Sequence, residues 1–311
     1  MNFLKLIVNH VSILLLFLIV PLSINNQSLI SKKYYRDYCV RDSAKFILVP
    51  KNILVKNYFP FLDSVIKYLN SKEDLNLTEH LLVRYNPWII DSLSQTDYYK
   101  MMAKDSFVYD QKELIVLKKG SKILIPDSIA VSNLLTIFDN TYIDINIPEF
   151  KLRVLEDSRE ILKFPVRVGR NEKKYLKMGD RITDLKTIQG IGKIVKHVKN
   201  PDYYNPVNGH RYYLTKRDDN KITKLPQVPF LETEINGVRN GQLIHPTTNP
   251  ETLSKAYSNG CVGIGEGDAW ELYYYAPINT KVVIRYNLKS VDSKGDTLTF
   301  KNIYGYKTSP L

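Results

Sequence analysis

The stretch Tyr142-Ile143-Asp144-Ile145-Asn146-Ile147 sets the strongest limit on how this chain folds: its isoleucines fall on every second position. Successive side chains on a β-strand point to opposite faces, so this spacing buries one face of a strand and would scatter the isoleucines around a helix. Shorter runs of the same kind follow at residues 152–155, 161–168, 194–198, 242–244 and 281–286. Turn residues separate them, among them Glu156-Asp157-Ser158-Arg159, Gly179-Asp180-Arg181 and Gly190-Ile191-Gly192. Many short strands with recurrent turns predict a mainly β domain of sandwich or barrel type. Tyrosine use agrees: 22 Tyr stand against 11 Phe and 2 Trp, and tyrosine suits a half-exposed pleated surface. One helix is expected at residues 269–275, capped by Asp268 and stopped by Pro277. The tail, residues 289–311, alternates Leu298 and Phe300 and predicts a C-terminal β extension in the form of an edge hairpin.

Upstream of that domain the pattern changes. Residues 1–24 read as an export segment, with Lys5 ahead of an apolar run over residues 6–22 that is interrupted at Asn9, His10 and Ser12. The run lies between a signal-peptide core and a membrane span in length, and no Ala-x-Ala cleavage site follows. It is expected to be either a signal peptide or an N-terminal membrane anchor. Residues 25–45 read as a polar linker, and residues 46–135 as a small mixed α/β region. Within the latter, residues 46–55 suggest a strand, and Phe61, Leu62, Val65, Ile66 and Leu69 mark a helical face. A second helix is expected over residues 71–86, capped by Ser71 or Asp74 and ended by Pro87. His80 on that helix lacks a partner at metal-ligand spacing and is expected on the surface. Lys118-Lys119-Gly120-Ser121-Lys122-Ile123-Leu124-Ile125-Pro126 resembles the last strand of a lysin-motif repeat, a glycan-binding module. A packing region without sugar affinity fits the same residues.

The formal net charge is +12. A basic surface attracts polyanions, but no nucleic-acid motif accompanies the charge, and the lysines are scattered apart from Lys118-Lys119 and Lys173-Lys174. An anionic wall polymer or membrane is the expected neighbour, and nucleic acid is not. Only Cys39 and Cys261 are present, fewer thiols than a disulfide-stapled secreted domain usually carries. Cys261 stands behind a glycine turn in Ser258-Asn259-Gly260-Cys261-Val262-Gly263, with His245 upstream in Ile244-His245-Pro246-Thr247-Thr248. A thiol needs a base or a cation beside it to ionise near neutral pH, and histidine suits that task. Glycine at 260 permits a tight turn whose N–H groups, at Gly260 and Cys261, face a developing oxyanion. Spacing alone fits a buried structural cysteine with an incidental histidine equally well. His197 and His210 flank the loop Asn200-Pro201-Asp202-Tyr203-Tyr204-Asn205-Pro206 and are expected to be surface or packing residues. No His or Cys pair has zinc-ligand spacing, so neither metal nor cofactor is expected.

The residues around this pair resemble the active-site signature of the L,D-transpeptidases, in which a histidine motif precedes a Ser-His-Gly-Cys-(Ile/Val)-Arg block. The resemblance covers roughly residues 140–288. It takes in the strand at 142–148, Phe164-Pro165-Val166-Arg167-Val168-Gly169, Thr187-Ile188-Gln189-Gly190 and the closing strand at 276–286. It implies a β-sandwich catalytic domain over residues 138–288. Cys261 would be the nucleophile, His245 the base and acid, and the Pro246 carbonyl the third element. Ser258 would orient the turn or the substrate. The implied chemistry is acyl transfer from a peptidoglycan stem tetrapeptide through a Cys thioester, in the periplasm or cell envelope. A carboxypeptidase variant and a wall-binding scaffold that has lost catalysis are the alternatives. Two positions depart from the pattern: Asn259 stands for the usual histidine, and Gly263 for the usual arginine. Arg167, Lys193 and Arg285 are candidate replacements for that cation.

Overall fold

The computed structural model describes residues 45–307, apart from 73–74, 107, 109, 177–179, 205–207, 217–219, 221 and 293. The export segment, Cys39 and nearly all of the linker lie outside the described residues. Among those described, no helix is long and apolar enough to cross a membrane.

The first part is mostly helical. Helix α1 (Val55–Lys72) buries Tyr58, Phe59, Leu62, Val65 and Leu69, the stripe of an amphipathic helix. Ser71 falls in its last turn. The second helix, α2 (Glu79–Arg84), is therefore shorter than expected and starts at Thr78, whose hydroxyl accepts the Leu81 N–H at 3.3 Å. Pro87 opens α3 (Pro87–Ser94), a position where the missing N–H is harmless. Two more helices follow, α4 (Tyr98–Met102) and α5 (Ser128–Asp139), the latter capped by the Asp127 carboxylate on the Ala130 N–H at 2.8 Å. Residues 46–55 divide into the strands Phe46–Leu48 and Ile53–Leu54. The first pairs antiparallel with Lys122–Leu124.

The second part is built on an eight-stranded mixed sheet. Its strands are β1 (Thr141–Asn146), β2 (Lys151–Glu156), β3 (Arg159–Pro165), β5 (Gly190–Val198), β6 (Phe230–Ile235), β7 (Leu243–Pro246), β9 (Val262–Ile264) and β10 (Lys281–Arg285). Two short strands, β4 (Val168–Gly169) and β8 (Ala256–Ser258), pair with each other outside it. The order across the sheet is β9-β7-β6-β5-β10-β1-β2-β3. Ile143, Ile145 and Ile147 are fully buried, as their alternation requires. Asp144 points the other way and is gripped by Arg285 at 2.6 and 2.8 Å. After β3 the chain crosses to the opposite edge, where Arg167 and Gly263 exchange backbone hydrogen bonds of 2.8 Å each. The sheet thereby curls until its two edges share one segment of chain. Gly190-Ile191-Gly192, expected as a turn, is instead the start of β5, because Gly192 lies so close to Glu234 that a Cβ would meet its carbonyl oxygen at 1.7 Å.

Helix α6 (Glu266–Tyr275) begins three residues earlier than expected, at the Gly265 cap, and is buried nearly all round. Its aromatic residues tie the two parts together. Tyr58 and Tyr274 share a hydroxyl hydrogen bond of 2.6 Å, and both Tyr273 and Tyr274 donate to the buried Glu79 carboxylate. Lys199 completes the network as an ion pair to Glu79. His80, expected on the surface, is packed here: its Nε2 lies 2.9 Å from the Tyr273 carbonyl and its ring stacks on His197 at 5.0 Å. One compact unit spans Val40–Leu311, and α5 runs across the boundary drawn from sequence at residues 135–138. The C-terminal hairpin, Lys289–Val291 with Thr297–Thr299, is a separate ribbon rather than an addition to the sheet edge.

Candidate active site

The site lies where β7 and β9 run parallel. Their register sets His245 opposite Gly263. Cys261 precedes Gly263 by two positions, so its side chain and that of His245 emerge on one face. Both are half-buried, and Cys261 is a free thiol. Its Sγ also lies 4.0 Å from the Gly241 carbonyl.

The imidazole is oriented by its own strand. Nδ1 lies 2.9 Å from the Pro246 carbonyl oxygen, which can only accept, so Nδ1 carries a proton and Nε2 is left for the thiol. Burial pulls the His245 pKa down, but the hydrogen bond and charge of Cys261 and the Pro246 carbonyl outweigh it, and the balance is upward. Burial likewise pushes the Cys261 thiol up, but the His245 contact, the Leu243 backbone and the Arg167 charge turn it downward. The two shifts are opposite in sign and both favour the thiolate–imidazolium form of the pair.

The turn ahead of the thiol is fastened from several sides. Ser258 is buried; its hydroxyl donates to the Cys261 carbonyl at 2.6 Å and accepts the Gly260 N–H at 3.2 Å. Gly260 adopts φ +111°, open to glycine alone at little cost. Its N–H points to the Ser258 hydroxyl inside the turn. Asn259 is exposed and accepts from Arg170 Nη2 at 3.1 Å. Sequence reasoning missed the support beneath. Thr187 Oγ1 donates to the Gly260 carbonyl at 3.0 Å and accepts the Gly169 N–H at 2.8 Å. Tyr304 receives the Thr187 N–H at 3.1 Å and donates to the Gly169 carbonyl at 2.7 Å. Gly169 must be glycine, since a Cβ there would sit 2.0 Å from the Leu185 oxygen. The motif around Thr187 was visible in the sequence, whereas nothing marked Tyr304.

Of the three candidate cations, Arg285 is clamped on Asp144 and Lys193 is exposed on β5. Arg167 alone stands at the site, its Nη1 3.1 Å from Thr252 Oγ1. His80 and His197 belong to the interior network, and His210 is exposed. Among the described residues, no group of three His, Cys, Asp or Glu is placed to hold a metal ion.

Sheet and site together define a β domain with a thiol–imidazole pair at a strand edge. Residues 140–284 match the family model of the L,D-transpeptidase catalytic domain (YkuD). No curated protein matches the sequence. Solved structures similar to it include an L,D-transpeptidase from Mycobacterium tuberculosis, at 15% identity over 47% of this chain and 57% of that one, with a TM-score of 0.32. Another, from Xylanimonas cellulosilytica, shows 13% identity over 63% and 90%, with a TM-score of 0.34. A third, from Enterococcus faecium, shows 15% over 47% and 49%, with a TM-score of 0.31. The chain spans 57% and 49% of the first two structures it matches, and likeness of this extent carries no argument about activity.

Proposed function

We propose that the chain is an exported L,D-transpeptidase that acts on peptidoglycan stem peptides through a thioester on Cys261. The observation that carries this reading is the Cys261–His245 pair, with the imidazole held by the Pro246 carbonyl. In the first half-reaction the thiolate electron pair forms a bond to the carbonyl carbon of the third stem residue. The tetrahedral intermediate collapses, the amide C–N bond breaks, and the His245 imidazolium gives its proton to the departing D-alanine amine. In the second, an acceptor amine attacks the thioester, His245 takes its proton, and the thiolate leaves. A stem peptide, a protein amine or water would each fit the acceptor position.

The turn residues support this by holding Cys261 rather than by reacting. Export is part of the proposal and rests on the apolar run at residues 6–22; a fusion of residues 1–40 to a reporter active only outside the cytoplasm should give signal. The decisive experiment is incubation with a stem tetrapeptide followed by intact-mass measurement. A mass gain equal to the donor less its terminal alanine is expected, absent in Cys261→Ala. An unmodified, folded protein would favour the wall-binding scaffold, for which Asn259 and Gly263 are the sequence support.

A further inference from the structure

Three residues stand in a row across neighbouring strands. His245 is in register with Gly263, and Gly263 is in register with Arg167 on the segment that crosses from β3. Registered side chains share a face, so the His245 and Arg167 side chains project on the same side with only a glycine between them. The space above Gly263 is filled from the Arg167 side: a Cβ built there would lie 3.4 Å from Arg167 Cβ and 3.8 Å from its Cδ. The arginine stem thus lies across the place of the missing side chain. Its guanidinium is anchored at Thr252, whose hydroxyl is itself fixed by donating to the Asn249 carbonyl at 2.6 Å. Arg167 also acts electrostatically on both His245 and Cys261. The nearby Arg170 serves other partners, Asn259 and Glu172.

We propose that Arg167 is a binding residue that seats a free carboxylate of the acyl-donor peptide beside Cys261. This rests on the reading of the site as a peptide acyltransferase. A guanidinium is a planar fork of donors matched to a carboxylate, and it stays charged at any working pH. The half-buried position strengthens the attraction over that at an open surface. The carboxylate has two sources on a stem tetrapeptide, the C-terminus and the side chain of the third residue, and both present the same chemistry to the arginine.

The test begins with a reaction that needs no turnover. Cys261 is alkylated with iodoacetate, an anion, and with iodoacetamide, its neutral analogue; in each the thiolate displaces iodide. The ratio of the two rates should fall roughly tenfold in Arg167→Gln and largely persist in Arg167→Lys. Arg170→Gln should hold it within about twofold. If Arg167→Gln does not fold by circular dichroism, Arg167→Met keeps the stem over Gly263 and carries the same comparison. An unchanged ratio in a folded, charge-removed variant overturns the proposal, whether or not the protein proves to be a transpeptidase. The donor arm then uses tetrapeptides amidated at the C-terminus or at the side-chain carboxylate. Arg167→Gln should raise KM roughly tenfold for the free donor and leave it unchanged for whichever amide removes the bound carboxylate. The same KM increase with both amides would overturn the proposal.

Discussion

His245 and the His80–His197 pair are all half-buried, yet they behave in opposite ways. Burial lowers the pKa of each ring. At His80 and His197 it carries the value down to about 4, with Lys199 adding to the effect at both. At His245 the same burial is overturned by the thiol beside it. The Glu79 carboxylate cannot do for the interior pair what Cys261 does for His245, because it is already taken by Lys199 and two tyrosine hydroxyls. An imidazole withdrawn from solvent holds its proton readily only where its partner can carry the complementary charge; elsewhere it is a neutral packing ring.

That contrast breaks most easily at His245. Replacing it with alanine should slow iodoacetamide alkylation of Cys261 at neutral pH by roughly a hundredfold or more. The pH midpoint should also move upward, because burial alone raises the thiol. Glu79→Ala should cost about 3 kcal/mol in urea unfolding, since Lys199 and two buried hydroxyls lose their acceptor. Cys261 reactivity should be retained in that variant below the unfolding midpoint; a parallel collapse would show that the two regions are one device. A smaller effect is read from pH. The unfolded chain accepts protons on His80 and His197 near pH 6.5, and the folded chain resists until about pH 4. Stability from this pair is therefore complete above pH 6.5 and is lost as the pH falls to 4, by up to a few kcal/mol. His245, raised instead, works in the other sense: its contribution is present below 6.5 and lost as the pH rises through its folded value. Replacing His80 and His197 with glutamine should flatten the acid limb of chemical denaturation. The smallest expected change is at Tyr304→Phe, about 1 kcal/mol, with slower thiol alkylation as the turn ahead of Cys261 loosens.

The sheet was legible because its strands obey a period of two and its turns carry glycine and acidic pairs. The thiol and its histidine were legible because each sits in a short motif. What stayed hidden depends on contacts between distant segments. Glycine at 190 and 192 reads as a turn until Asn236 is seen against the first and Glu234 against the second. His80 reads as a surface residue because it shares its helix with the charged Glu79 and Arg84, while the rings that cover it come from β5 and α6. Tyr304 is one of 22 tyrosines, and only the fold brings it beneath Gly169 and Thr187. Arg167 was one cation among three until strand register set it across from Gly263.

The crossing of residue 167 onto β9 bears on solubility as well as chemistry. A long sheet normally ends in two rows of unsatisfied peptide groups, which invite a strand from another molecule. Here one terminal strand, β9, is met at Gly263 by the chain's own backbone. The other, β3, carries Arg159, Glu160 and Lys163 along its length, and a stranger laid against it would bring its side chains against charges of both signs. A sheet guarded at both margins offers little template for an added strand.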